Sequence, residues 1–406
     1  MDPTGAAAAD GARPAPWRPT GGLLDGVRVV DLSSVGPAAR CTRILCDYGA
    51  EVVKVGPVPG RKEVQIAPPR YAYSGQRGMR RMLVDLKDEG GREAFLALAG
   101  RADVVVESFR PGVVERLGIG YEAVRERNPG IVYCATSGYG QSGPGAQRAG
   151  HDIDYLAVGG FLAAGEPAAG GGPALPGATV ADAAGGGMQA ALAICAALLR
   201  RGATGEGAYL DVAVAEGVLW LMSLAIDEHL ATGAEPGWGH DVLSGRYACY
   251  GTYQTAEGGW VAVGAIEERF FVNLCRALGL EKWVGHQMDD AVQDQVRADL
   301  AAAFARRTRE EWVRELAGQD TCVAPVLRPS EVAHDAQVRA RGALVEVVGP
   351  DGERFRQLGP VLAGMERSCG PVVLGDPAAS DTEALLGACG VPMEVVEGWL
   401  ARGAVR

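Results

Sequence analysis

Aromatic residues make up only 6% of this 406-residue chain. Single-stranded nucleic acids are bound largely by stacking bases on aromatic side chains, so that class of function is disfavoured. Positive charge is also short: 39 Lys and Arg stand against 50 Asp and Glu, a net charge of −11. Such a chain repels phosphate backbones and anionic membranes, so any anion site must be built locally. The nine cysteines are odd in number and scattered, and no two stand in C-x-x-C spacing. Zinc-knuckle and thioredoxin-like motifs are therefore absent, and a reducing, cytoplasmic setting is expected. Met1 to Gly21 is rich in Ala, Pro and Gly, without the apolar core of a signal peptide. It reads as a disordered extension. The most apolar helical stretch, Ala190 to Leu199, is too short to cross a bilayer, and no membrane association is expected. No G-x-G-x-x-G follows the first strand, which disfavours a dinucleotide site.

From Val27 onward the chain alternates short β-branched runs with helical periods. Strands are predicted at Val27 to Leu32, Glu51 to Val55, Met82 to Leu86, Val104 to Glu107 and Ile131 to Ala135. Helices are predicted between them, one opened by Gly36-Pro37 and running to about Tyr48, another over Glu89 to Leu98. This alternation implies right-handed βαβ units and a mostly parallel sheet. Asp182 to Arg201 reads as a long helix with Asp182 as its N-cap.

The pattern changes near His229. A hairpin is expected from Tyr247 to Gly264, turning at Glu257-Gly258-Gly259. Helices follow at about Glu268 to Leu278, Val292 to Ala305 and Arg309 to Leu316. The tail holds a hairpin around Pro350-Asp351-Gly352 and two helices, the last opened by Pro392. The expected organisation is an α/β fold: a first large-domain segment over 22–225, a smaller α+β domain over 226–335, and a return to the large domain over 336–406.

Three spots carry chemistry. Gly150-His151-Asp152-Ile153-Asp154-Tyr155 sets an imidazole among carboxylates after the Gly-rich stretch Ser137 to Pro144. Asp182 is followed by Gly185-Gly186-Gly187, although glycine costs about 1 kcal/mol per helical position relative to alanine. Glycines there would let a ligand approach the backbone and leave N–H groups for an oxyanion. Glu267 stands at a strand end in Gly264-Ala265-Ile266-Glu267. Taken singly, each fits a plain structural role: a core histidine, an N-cap, a solvated helix-start residue.

Taken together, they belong to a longer set of motifs. GVRVVDLS (Gly26 to Ser33), VDLK (Val84 to Lys87), ESFRPGVVERLG (Glu107 to Gly118) and SGYGQSGP (Ser137 to Pro144) come first. GHDIDYLA (Gly150 to Ala157), ADAAGGGM (Ala181 to Met188), TGEG (Thr204 to Gly207), VAVGAIEERF (Val261 to Phe270) and CVAPVL (Cys322 to Leu327) follow in order. From about Gly22 to the C-terminus the chain resembles the α-methylacyl-CoA racemase branch of the CaiB/BaiF class III CoA-transferase family.

The resemblance implies a Rossmann-like large domain, a small domain, and a homodimer of interlocked chains with active sites at the subunit interface. It implies an isomerase that inverts the α-carbon of a 2-methylacyl-CoA or related 2-substituted acyl-CoA thioester, with no cofactor beyond the substrate's own CoA. His151 and Asp182 would be the acid–base pair, and Glu267 would orient the imidazole from the partner chain. Val84, Asp85, Leu86, Lys87, Ser108, Phe109, Arg110, Arg116, Gly150, Asp152 and Tyr155 would line the CoA groove. Arg110 and Arg116 are the natural phosphate partners, because guanidinium pairs bidentately with phosphate oxygens.

Two departures stand out. No arginine follows the second strand at Val55-Gly56-Pro57, leaving Arg61 or Lys62 to substitute. The stretch Val242 to Tyr250, which would line the acyl site, carries Arg246 and Tyr247 in place of small residues. The alternative reading is a class III CoA-transferase with Asp182 as nucleophile, which has no need of His151. A third is a non-catalytic CoA-binding protein, against which the retention of His151, Asp182 and Glu267 argues.

Overall fold

The computed structural model describes residues 21–58, 70–367, 370–376 and 379–406. The Met1 to Gly21 extension, apart from Gly21, and Arg61 and Lys62 lie outside the described residues. The described residues form two compact units: those within 21–159, 176–221 and 339–406 make the first, and residues 160–175 and 222–338 the second.

The first unit is built on a six-stranded parallel sheet in the order β3-β2-β1-β4-β5-β6. Its strands are β1 (Arg28–Asp31), β2 (Glu51–Gly56), β3 (Arg80–Leu83), β4 (Val104–Glu107), β5 (Val132–Ser137) and β6 (Ala208–Ala213). Alternate side chains point to opposite faces, and both faces are covered. Val29, Val52, Val104 and Val132 pack on one side with α1 (Gly36–Asp47) and α4 (Gln189–Thr204). Val30, Val53, Val105 and Tyr133 pack on the other with α2 (Glu89–Ala99) and residues of the C-terminal helices. Strand order reverses between β1 and β4. In open α/β sheets ligands bind outside the strand carboxyl ends at such a reversal.

The third strand starts earlier than the sequence pattern implies, at Arg80 rather than Met82. It ends at Leu83 because Val84 bridges to Val405 and the Asp85 N–H donates to the Ala404 carbonyl at 2.8 Å. Val84 still donates to the Gly56 carbonyl of β2 at 2.9 Å, while the last residues of the chain pair along the outer edge of β3, where the Arg406 N–H donates to the Leu83 carbonyl at 3.0 Å.

In the segment α3 (Asp152–Val158), α4 and α5 (Val214–Leu221) lie the main departures from expectation. Asp182 is not an N-cap. Residues Ala181–Met188 form a π-helical segment running directly into α4, with Val180 as the preceding helical residue. The continuous run Ala181–Thr204 is therefore 24 residues, long and apolar enough by length and composition to span a bilayer. The expectation that this stretch is too short does not hold. One face of α4, including Ala190 and Ile194, is buried on the parallel sheet.

The second unit has its own core, around Phe271, Leu274, Phe304 and Trp312. Its antiparallel sheet runs β7 (Tyr250–Gln254), β8 (Trp260–Gly264), β9 (Val323–Pro325), flanked by α6 (Glu268–Leu278), α7 (Gln293–Phe304) and α8 (Arg309–Glu315). The Tyr247–Gly264 hairpin and all three helices fall where the sequence pattern puts them. The first unit closes with the hairpin β10 (Leu344–Val348) and β11 (Arg354–Leu358), and with α9 (Thr382–Ala388) and α10 (Met393–Ala401), the last entered through Pro392.

Candidate active site

The polypeptide reaches His151 through the loop that leaves β5. His151 is the N-cap of α3, with extended backbone (φ −126°, ψ 178°) and an exposed side chain. Its N–H donates to Asp154 Oδ2 at 2.9 Å, the return half of a capping box, which fixes where the helix begins. One residue on, Asp152 turns toward the π-helical segment, and its Oδ1 accepts the Asp182 main-chain N–H at 2.8 Å. The GHD motif and the second candidate catalytic residue are thereby joined directly.

π-helical turns insert an extra residue into a helix and are frequent at functional sites. Here the turn is made possible by three buried glycines. A Cβ on Gly186 would come within 2.4 Å of Pro37 Cβ, and one on Gly187 within 2.8 Å of Arg40 Cβ. A Cβ on Gly217 of α5 would meet the Gly185 carbonyl oxygen at 1.9 Å. These glycines let α1 and α5 close onto the π segment; they are not a bare backbone awaiting a ligand. The expected free N–H groups at Asp182 are not there either. The Asp182 N–H is taken by Asp152, and that of Ala183 donates to the Thr179 carbonyl at 3.0 Å.

This packing brings Asp182 beside the start of α1. Its Oδ2 lies 3.9 Å from where a Gly36 Cβ would stand. Burial pushes the Asp182 carboxyl above the ordinary aspartate range, and the Asp152 charge adds to this; Arg40 and His151 oppose it. Such a carboxyl is poised to hold a proton as well as to take one. Arg40 was not anticipated from the sequence. It donates to Thr179 Oγ1, lies 5.5 Å from the Tyr73 ring centre, and has a buried Nε with no partner among the described residues. The readable signal is its place one turn after Gly36-Pro37, on the helix face turned to Asp182.

The expected groove residues divide by environment. Val84 and Asp85 are buried, and Leu86 and Phe109 pack against the core. Asp85 Oδ1 accepts the Lys87 N–H at 3.2 Å. Lys87, Ser108, Arg110 and Arg116 are exposed at the carboxyl edge of the sheet. Before Ser108 stands Glu107, only 2% exposed, whose Oε2 accepts the Phe109 N–H at 2.6 Å. Tyr155 faces inward: it is buried, and its hydroxyl donates to the Gly150 carbonyl at 2.7 Å.

Glu267 belongs to the second unit, as the exposed N-cap of α6. Its loop is held by Gln287, whose Nε2 donates to the carbonyls of Ala265 and Ile266 at 2.9 and 2.6 Å. In the same unit Arg246 is committed to a bidentate pair with Asp290, at 2.9 and 2.8 Å, and lies 5.4 Å from the Tyr247 ring centre. Among the described residues no three His, Cys, Asp or Glu side chains converge as a metal site.

Residues 24–379 match the model of CoA-transferase family III, so the chain belongs to that family, the CaiB/BaiF proteins. It is 36% identical to the mouse α-methylacyl-CoA racemase over 88% of this chain and 91% of that protein. It is 38% identical to the human α-methylacyl-CoA racemase, covering 79% and 82% of the two chains. The fold is similar to the crystal structure of a CaiB/BaiF family protein from Brucella suis, with a TM-score of 0.72 and 25% identity over 91% of this chain and 100% of that one.

Proposed function

We propose that this protein is an isomerase that inverts the α-carbon of a 2-methylacyl-CoA, or related 2-substituted acyl-CoA, thioester. The observation that carries this reading is the direct tie of the GHD motif to Asp182, which sets an imidazole within electrostatic reach of a carboxyl held above its usual range. Inversion needs a proton removed from one face of a weakly acidic carbon and returned to the other. Two groups of matched basicity on opposite faces do this without a redox group or metal. His151 and Asp182 take these roles and exchange them with substrate hand. The family's transferase chemistry needs only a nucleophilic carboxylate, so the imidazole favours the racemase branch, as does the similarity to the mouse and human racemases.

Glu267 completes the site by orienting the imidazole of the other chain in a homodimer. In support of association, α4 and its approach carry an exposed apolar row: Met188, Leu192 and Leu199, with Leu192 73% and Leu199 80% exposed. Sedimentation showing an active monomer would remove the dimer from this reading. Arg110 and Arg116, exposed at the sheet's carboxyl edge, are assigned to the CoA phosphates.

The test is a panel of pure 2-methylacyl-CoA epimers incubated in deuterium oxide. Inversion with α-deuterium incorporation supports the proposal. Transfer of CoA to a free acid without α-exchange would instead make Asp182 a nucleophile.

A further inference from the structure

We propose that Tyr155, together with Asp154, is a positioning element that locks the single peptide group between Gly150 and His151 and so aims the imidazole. This rests on the reading of His151 as an acid–base residue. The Gly150 carbonyl and the His151 N–H are the two polar ends of one peptide plane. The carbonyl accepts the Tyr155 hydroxyl at 2.7 Å, and the N–H donates to Asp154 Oδ2 at 2.9 Å. Both holders sit in the first turns of α3, the helix that His151 itself caps. A plane held at both ends by one rigid helix cannot rotate without breaking two hydrogen bonds, one of them accepted by a carboxylate.

The surroundings reinforce the lock. A Cβ on Gly150 would lie 2.8 Å from Tyr155 Cε1 and 3.0 Å from the Tyr139 hydroxyl, and one on Gly138 would lie 2.5 Å from the Tyr155 ring. The two tyrosine rings meet edge to face, 5.2 Å apart at 76°. The chain before His151 is thus boxed by rings at positions where only glycine fits. Burial, with Tyr139 and the nearby carboxylates, pushes the Tyr155 phenol up to about 12, so it stays a donor throughout the working range. Whatever part its ring plays in lining the CoA groove, the role that resemblance implies, the Tyr155 hydroxyl proton is spent on the backbone.

Tyr155→Phe keeps the ring and removes only the donor. The expected result is a melting temperature within a few degrees of wild type but a shifted or broadened His151 imidazole resonance in NMR, identified by its loss in His151→Gln. The kcat for inversion should fall about tenfold, with KM changed by less than about twofold, as for a misaimed catalytic group. The fall in kcat/KM must be equal in both directions, because the equilibrium constant is unaltered. Exchange of the α-proton without inversion should persist for the hand facing Asp182. A Tyr155→Phe protein with wild-type His151 resonance and titration would overturn the lock. If the wild type neither inverts nor exchanges any acyl-CoA, the functional reading falls, and the imidazole spectrum still decides the lock.

Discussion

Asp152 holds Asp182 by its backbone, Oδ1 to N–H at 2.8 Å, while its charge helps to raise the Asp182 carboxyl. One side chain therefore sets both the place and the proton affinity of its neighbour. The two effects separate by substitution. Asp152→Asn keeps an acceptor oxygen and removes the charge. The Asp182 carboxyl should then ionise at lower pH, and the acidic limb of the pH–rate profile should move down when Asp182 is the base. Asp152→Ala also loses the hydrogen bond, and kcat should fall by a further factor of about 10. Identical pH profiles for wild type and Asp152→Asn would show that the charge is not felt at Asp182.

Two glycines of the same region make opposite predictions. Gly217→Ala would drive a methyl to 1.9 Å from the Gly185 carbonyl oxygen, a backbone atom with nowhere to go. Overpacking of this kind costs about 1–3 kcal/mol or more. Gly202, in α4, has nothing among the described residues within 4 Å of its missing Cβ, so Gly202→Ala should stabilise by roughly 0.5–1 kcal/mol through helix propensity. Denaturant unfolding of both variants checks the pair. Equal responses would mean that α5 does not close on the π segment.

Much of this architecture is legible in the sequence, because strand–helix alternation and β-branched runs are local signals. The strands ending at Asp31 and Glu107 and the helix from Gly36 to Asp47 follow from them directly. What stays hidden depends on distant partners. Val84 and Asp85 look like strand residues and are claimed by the chain's last residues. Asp182 looks like an N-cap because a carboxylate before glycines usually is one; the π segment exists only because Pro37, Arg40 and Gly217 pack where side chains would be. Residues 160–175 join the second unit although they are rich in Gly, Ala and Pro, a composition that marks a loop and says nothing of which unit it joins.

Glu107 ties stability to pH. Burial, with Glu115 adding to it and the Phe109 N–H opposing, pushes its carboxyl from 4.5 up to about 8. The folded protein then keeps a proton that the unfolded chain has released at every pH between these values. Across that window this group makes stability fall with rising pH, by about 1.4 kcal/mol per pH unit at most. Its contribution is fully present below 4.5 and lost by about 8. Glu107→Gln keeps the acceptor for the Phe109 N–H and cannot ionise, so unfolding free energy measured from pH 5 to 8 should lose this slope. A slope unchanged in the variant would mean that Glu107 is ionised at neutral pH.

The last prediction separates the two branches of the family. If His151 and Asp182 address opposite faces of the α-carbon, removing either must stop inversion. Each variant should nevertheless retain one half-reaction. His151→Ala leaves the carboxyl, which can still take and return the α-proton of the hand that faces it, giving deuterium exchange without inversion. Asp182→Ala leaves the imidazole and should exchange only the other hand. If Asp182 is instead a nucleophile, Asp182→Ala abolishes acyl transfer outright, since a histidine cannot replace the covalent intermediates, and His151→Ala changes little. The measurement is α-exchange and inversion on both pure epimers, with CoA transfer to a free acid followed alongside. Mirror-image exchange in the two variants requires two bases on two faces. Transfer without exchange, indifferent to His151→Ala, would leave the fold standing and place the protein among the transferases.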